Sequence, residues 1–146
     1  MTTRTFIKTL SANDVGATGA HMAGILVPKG DGELLAFLPP LDAGELNPSA
    51  WIECETPEGT VLRLRFVYYN NRLHVPTGTR NEYRITHLTK FLRDSGAREG
   101  DVFEISREDG RDLYRIRVIR TSHAEPEVDD EGPVRIKLTT GWRRVH

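Results

Sequence analysis

Residues Val61–Tyr69, VLRLRFVYY, alternate with a period of two, and this alternation constrains the fold more than any other feature of the chain. Leu62, Leu64, Phe66 and Tyr68 fall on one side of an extended segment, and Arg63, Arg65, Val67 and Tyr69 on the other. Side chains switch sides at every residue only in a strand, so the pattern predicts a strand with one wet face. Leu113–Arg120 repeats it, with Tyr114, Ile116 and Val118 inward and arginines outward. Shorter strands are expected at Thr5–Leu10, Gly24–Pro28, Trp51–Thr56, Val102–Ser106 and Val134–Leu138. Gly, Pro, Asn and Asp separate them, and Asp109-Gly110 reads as a hairpin turn.

One helix interrupts this pattern. Thr86 is its expected cap, Leu88, Phe91 and Leu92 its apolar face, and Gly96 its stop. A second short helical turn is expected near Gly32–Leu38, and the acidic stretch His123–Pro133 reads as an exposed loop. The chain has 146 residues and no internal repeat, which predicts one domain over 1–146. Several short strands with one or two short helices make the class mainly β, a barrel or a sandwich.

Composition narrows the setting. The first residues, MTTRTFIKTL, lack the apolar run of a signal peptide, and no window approaches the ~18 apolar residues of a membrane helix. The single Cys54 excludes an intrachain disulfide and is too little for a cysteine metal site. A small buried cysteine in a reducing bacterial cytoplasm is the expectation, with no membrane association.

A net charge of −1 conceals segregation. Residues 1–30 carry +2, 31–60 carry −7, 61–98 carry +6, 99–131 carry −6 and 132–146 carry +4. Such blocks give one face that can meet phosphates and another that repels them.

Catalytic patterns are missing. A common metal-dependent nuclease core places an acidic residue two positions before a lysine, so that carboxylates hold the metal and the ammonium steadies the attacking water. The residues two before Lys8, Lys29, Lys90 and Lys137 are Phe6, Val27, Leu88 and Arg135. The phospholipase-type alternative requires His-x-Lys, and His87-Leu-Thr-Lys90 has one residue too many. His21, His74, His87, His123 and His146 never fall at metal-binding helical spacing. The glycines of GATGAHMAG lack the Gly-Lys-Ser/Thr of a phosphate loop. No enzyme, metal or cofactor is expected.

Two segments carry another kind of chemistry. Ser11–Lys29, SANDVGATGAHMAGILVPK, offers short polar groups at Ser11, Asn13, Asp14, Thr18 and His21 between glycines that let a backbone approach closely. Gly78–Leu88, GTRNEYRITHL, packs Arg80, Asn81, Glu82 and Arg84 into a tight polar cluster within the most basic block. Arginine is the bidentate partner of guanine, asparagine of adenine, and a carboxylate accepts from cytosine. An ordinary Asx turn at Asn13-Asp14 and an internal Arg80–Glu82 salt bridge are the competing readings.

The runs LSANDVGATGAHMAG (Leu10–Gly24) and TRNEYRIT (Thr79–Thr86), supported by ELNPS (Glu45–Ser49) and YYNNR (Tyr68–Arg72), resemble the N-terminal effector domains of EcoRII-type restriction endonucleases. The resemblance implies an open DNA-binding pseudobarrel of about seven strands, like the plant B-three transcription-factor domain. Two arms would clasp the major groove of a short asymmetric duplex site. It places Lys8, Asn13, Asp14, Thr18, His21 and Met22 at the DNA from the first arm, and Thr79, Arg80, Asn81, Glu82, Tyr83 and Arg84 from the second. Arg80 and His21 are expected to read bases, and Lys8, Arg72 and Arg84 to anchor phosphates.

Three positions depart from the family pattern. Leu26 stands in place of an aromatic residue, and Gly78 and Tyr83 in place of lysines, so the family's recognition sequence does not carry over to this chain, and the salt dependence flattens if both lysines meet phosphates. Double-stranded DNA is the expected partner, with a nuclease domain or subunit as a second. The alternative reading is a protein-interaction or autoinhibitory module that docks on a separate nuclease domain through the acidic segments.

Overall fold

The period-two segments become strands whose apolar sides face one another. The computed structural model describes residues 2–16, 24–121 and 141–145. Among these, eight strands are present: β1 (Thr3–Thr9), β2 (Ile25–Val27), β3 (Ser49–Glu55), β4 (Val61–Tyr69), β5 (Glu82–Thr86), β6 (Val102–Glu108), β7 (Tyr114–Ile119) and β8 (Trp142–Val145). Three short helices accompany them: α1 (Gly32–Phe37), α2 (Asn71–His74) and α3 (Thr89–Asp94). The strands form one sheet in the order β2-β5-β4-β3-β7-β6-β1-β8, antiparallel throughout except for the β3–β7 pair.

The sheet curls into a nearly closed barrel. Its two end strands, β2 and β8, meet where the Trp142 indole N–H donates to the Leu26 carbonyl at 2.9 Å. The interior is lined by Phe6, Phe37, Phe66 and Phe103, each at most 1% exposed. Phe37 on α1 plugs one region, tilted on Phe6 at 4.8 Å and edge-on to Tyr114 at 5.3 Å. Cys54 is fully buried, and burial, with Glu53 adding to it, pushes its thiol up to about 12. A thiol so raised stays protonated and unreactive at neutral pH.

The mainly β pseudobarrel is as expected, and the Asp109-Gly110 hairpin joins β6 to β7 with Gly110 at φ 84°. Two further strands exceed the sequence reading. Charges in the second polar segment mask β5, although Tyr83 and Ile85 alternate with Glu82 and Arg84 on it. The other, β8, is only WRRV, too short for periodicity to detect. The expected strand at Val134–Leu138 and the loop 123–133 lie outside the described residues.

Three local readings are corrected. Thr86 ends β5 instead of capping α3; His87 follows at φ 71°, and Leu88 precedes the helix. The predicted apolar face of α3 does hold, because Leu88, Phe91 and Leu92 are buried. Asn71–His74 forms a helical turn, which a run of Asn and Arg does not announce. Val67, assigned to the wet side of β4, is fully buried between its ladder partners Ser49 and Arg84.

Candidate nucleic-acid interface

The root of the first polar segment is a reciprocal turn. Ser11 Oγ accepts from the Asp14 backbone N–H at 3.1 Å, and the Asp14 carboxylate accepts from the Ser11 N–H at 3.0 Å. Serine and aspartate three residues apart favour this closure because each short side chain reaches the other's amide. The same carboxylate binds the Lys8 ammonium at 2.6 Å, with both side chains under 9% exposed. Lys8 leaves β1 pointing at the turn and is therefore committed to Asp14. Asn13 is exposed at the turn and Gly16 follows at φ 78°. Thr18, His21 and Met22 lie outside the described residues.

The segment returns at Gly24, where the chain enters β2. Gly24 has φ 92°, and a Cβ there would lie 2.3 Å from the Ile85 carbonyl oxygen. Only glycine allows the returning arm to press against β5 this closely.

A buried asparagine supports the second segment. Asn70 is fully buried; its side chain accepts from the Asn47 N–H at 2.7 Å and donates to the carbonyls of Ala43 and Glu45. The ELNPS and YYNNR runs are thus two halves of one latch. Beyond it, the Asn71 side chain accepts from the Arg80 N–H at 2.8 Å, and the Arg72 N–H donates to the Arg80 carbonyl at 3.0 Å. The loop therefore folds back on α2. Gly78 makes this possible, since a Cβ there would sit 2.2 Å from the Asn71 carbonyl oxygen. Thr79 and Arg72 are exposed on this loop and on α2.

Strand alternation then sorts the polar cluster. Arg80, Glu82 and Arg84 come together on the outer side. The Arg80 guanidinium lies 3.9 Å from the Tyr69 ring centre and 2.9 Å from a Glu82 oxygen. Arg84 bonds the same carboxylate at 2.5 Å and donates to the Gly24 carbonyl at 3.0 Å. Partial burial alone would raise Glu82, but hydrogen bonds and charge from Arg80 and Arg84 outweigh it and hold the carboxyl below its usual value.

Asn81 and Tyr83 face the other way. Tyr68 donates its hydroxyl proton to the Asn81 side-chain oxygen, and the Tyr68 and Tyr83 rings stack at 4.2 Å. Burial, with Tyr68 beside it, raises the Tyr83 hydroxyl above its ordinary value.

The two segments are brought side by side by the β2–β5 ladder, in which Leu26 faces Arg84 and Val27 faces Tyr83. An open cleft of about 370 Å³ lies between them, lined by Asp14, Gly24, Arg65, Tyr69, Arg80 and Thr86 among others. Sequence reasoning missed Tyr69, Arg65 and the Gly24 carbonyl. The signal for the first two was available, because both sit on the wet side of the β4 alternation. Among the described residues, no three His, Cys, Asp or Glu side chains are placed to hold a metal ion.

Residues 1–124 match the family described as "Restriction endonuclease EcoRII, N-terminal". The type II restriction enzyme EcoRII of Escherichia coli is 36% identical over 126 residues, covering 77% of this chain and 29% of that protein. The chain thus spans less than a third of that relative's length. The protein of the Arabidopsis FUS3–DNA complex shares the fold, with a TM-score of 0.57, 22% identity, and coverage of 80% of this chain and 96% of the other.

Proposed function

The chain belongs to the family of EcoRII restriction-endonuclease N-terminal domains, and from that membership we propose that it binds double-stranded DNA sequence-specifically through its two arms. The observation that carries the reading is the Arg80 assembly: a guanidinium laid over Tyr69 and oriented by Glu82, next to the root of the first arm. Glu82 occupies only part of the fork, so donors remain to meet the O6 and N7 of a guanine. Holding the side chain before binding reduces the entropy that recognition must overcome. The fold shared with FUS3, which is seen with DNA, supports the same reading.

In this reading Arg80 and Glu82 read bases from the second arm, Asn81 is held behind them by Tyr68 and shapes the arm, and Thr18, His21 and Met22 belong to the contact set of the first arm. Arg72 and Thr79 lie where the sugar–phosphate backbone would pass. Lys8, buried against Asp14, shapes the first arm instead of meeting phosphate. The domain has no nuclease centre of its own and serves a nuclease domain or subunit, working on duplex DNA in a bacterial cytoplasm. Duplex selection followed by sequencing tests the proposal. An enriched short motif is expected; a pool that stays random would instead favour the docking-module reading.

A further inference from the structure

Several arginines of the barrel are committed to carboxylates: Arg4 to Asp109, Arg80 and Arg84 to Glu82, Arg117 to Glu104, Arg144 to Glu33. Arg63 and Arg65 are not, and they share one strand that runs into the cleft. Among the described residues, neither guanidinium is paired with a carboxylate. Glu53 stands opposite Arg63 in the ladder, but no ion pair joins them. Both arginines lie on the outer side of β4, two residues and therefore ~6.6 Å apart. Arg65 lines the same cleft as Tyr69 and Arg80, so the row continues directly from the second arm.

The row is also braced. Trp51, 47% exposed, is the ladder partner of Arg65, and its ring lies 4.9 Å from the Arg63 guanidinium. The Trp51 ring also meets the His87 ring edge-on at 5.0 Å. An exposed tryptophan ring beside an arginine limits the rotamers of that arginine and keeps its charge turned to solvent. Such a row suits a polyanion with regularly spaced charges.

We propose that Arg63 and Arg65 anchor the phosphate backbone of the duplex flanking the site gripped by the arms, with Trp51 positioning Arg63. This inference rests on the DNA-binding reading and extends its footprint along β4. Phosphate anchors contribute affinity without sequence information, whereas the arms contribute the preference.

The experiment measures binding of the full chain to the selected duplex, with long and trimmed flanks, across a salt series. Arg63→Gln and Arg65→Gln should each lower the log–log salt slope by about 0.9 on the long duplex. The preference for the selected over a scrambled sequence should stay unchanged. Arg65→Lys should restore the slope, and on the trimmed duplex all variants should match the wild type. Trp51→Leu should weaken binding in the wild-type background and have no effect when Arg63→Gln is already present. An unchanged slope and affinity in both glutamine variants, while Arg80→Ala still loses preference, overturns the anchor proposal and leaves the arms intact. Loss of preference in the glutamine variants also overturns it, because they would then be reading bases. If the wild type prefers no duplex at all, the DNA-binding reading falls and this inference with it.

Discussion

The indole N–H of Trp142 and the backbone carbonyl of Leu26 are joined at 2.9 Å across the seam between the two end strands of the sheet. Trp142 also meets Phe103 edge-on at 6.2 Å, so one side chain links β8, the core and the strand that receives the first arm. It stands beyond the 124 residues that the family matches.

Trp142→Phe keeps most of the ring and removes the donor. It should cost about 1 kcal/mol, the typical net value of one hydrogen bond. Urea unfolding should show a lower midpoint at an unchanged slope, and amide exchange in β2 should rise. Trp142→Ala should cost more, since it also loses the Phe103 contact. Equal protection of β2 in wild type and Trp142→Phe would show that the seam is held elsewhere.

Lys8 and Asp14 form a buried ion pair, and removing one member strands the other's charge. Lys8→Met should therefore destabilise the domain by about 3–5 kcal/mol. The double variant Lys8→Met/Asp14→Asn should recover much of that loss, because asparagine still accepts from the Ser11 N–H without carrying charge. A double-mutant cycle by chemical denaturation measures the coupling, and an additive result rules the pair out.

Arg80→Ala should cost about 1–3 kcal/mol on the selected duplex and relax preference at one base position. Tyr69→Leu should produce a weaker version of the same change, because the guanidinium loses its platform. Competition binding against single-base variants of the duplex reads both. A uniform loss on every sequence would move Arg80 from base reading to phosphate anchoring.

Glu82 is held below its usual value of 4.5 in the folded chain. A lowered folded value means that the ionised form favours folding. Its contribution is fully present above the unfolded value and is lost as pH falls through the lower folded value. The stability gap between wild type and Glu82→Gln should thus be constant near neutrality and close progressively below about pH 4.5. Thermal melts of both proteins from pH 7 to pH 3 measure it, and a gap that widens in acid would contradict the assignment.

Gly78 lets the loop ahead of Arg80 fold back on α2. Because a Cβ would lie 2.2 Å from the Asn71 carbonyl oxygen, Gly78→Ala should destabilise by about 1–3 kcal/mol, as overpacking does. Gly78→Lys should weaken DNA binding and not strengthen it. Enhanced binding with a steeper salt slope would mean that the loop opens freely on DNA.

Much of the barrel was legible along the chain. The alternation in Val61–Tyr69 and Leu113–Arg120 marked β4 and β7, and Leu88, Phe91 and Leu92 marked the buried side of α3. Strand β5 was not legible as a strand, because a half-exposed strand carrying Glu82 and Arg84 looks like a loop to any test based on hydrophobicity. Of the candidate site, the two polar segments could be found from composition and the outward side of Tyr69 and Arg65 from the β4 alternation, whereas their place beside Arg80 needed the ladder.

The sequence by itself determined the strand periodicity, the apolar set that fills the barrel, and the positions where glycine and short polar residues let the arms form. These follow from backbone geometry, which acts over a few residues. Tertiary structure alone decided which charges stay available. Lys8 is consumed by Asp14 six residues away, Arg80 and Arg84 share Glu82, Arg84 reaches Gly24 across the β2–β5 ladder, and Arg63 and Arg65 have no carboxylate partner among the described residues. Coulomb and hydrogen-bond partners depend on distance in space, and the register that sets those distances comes from strands far apart in the chain.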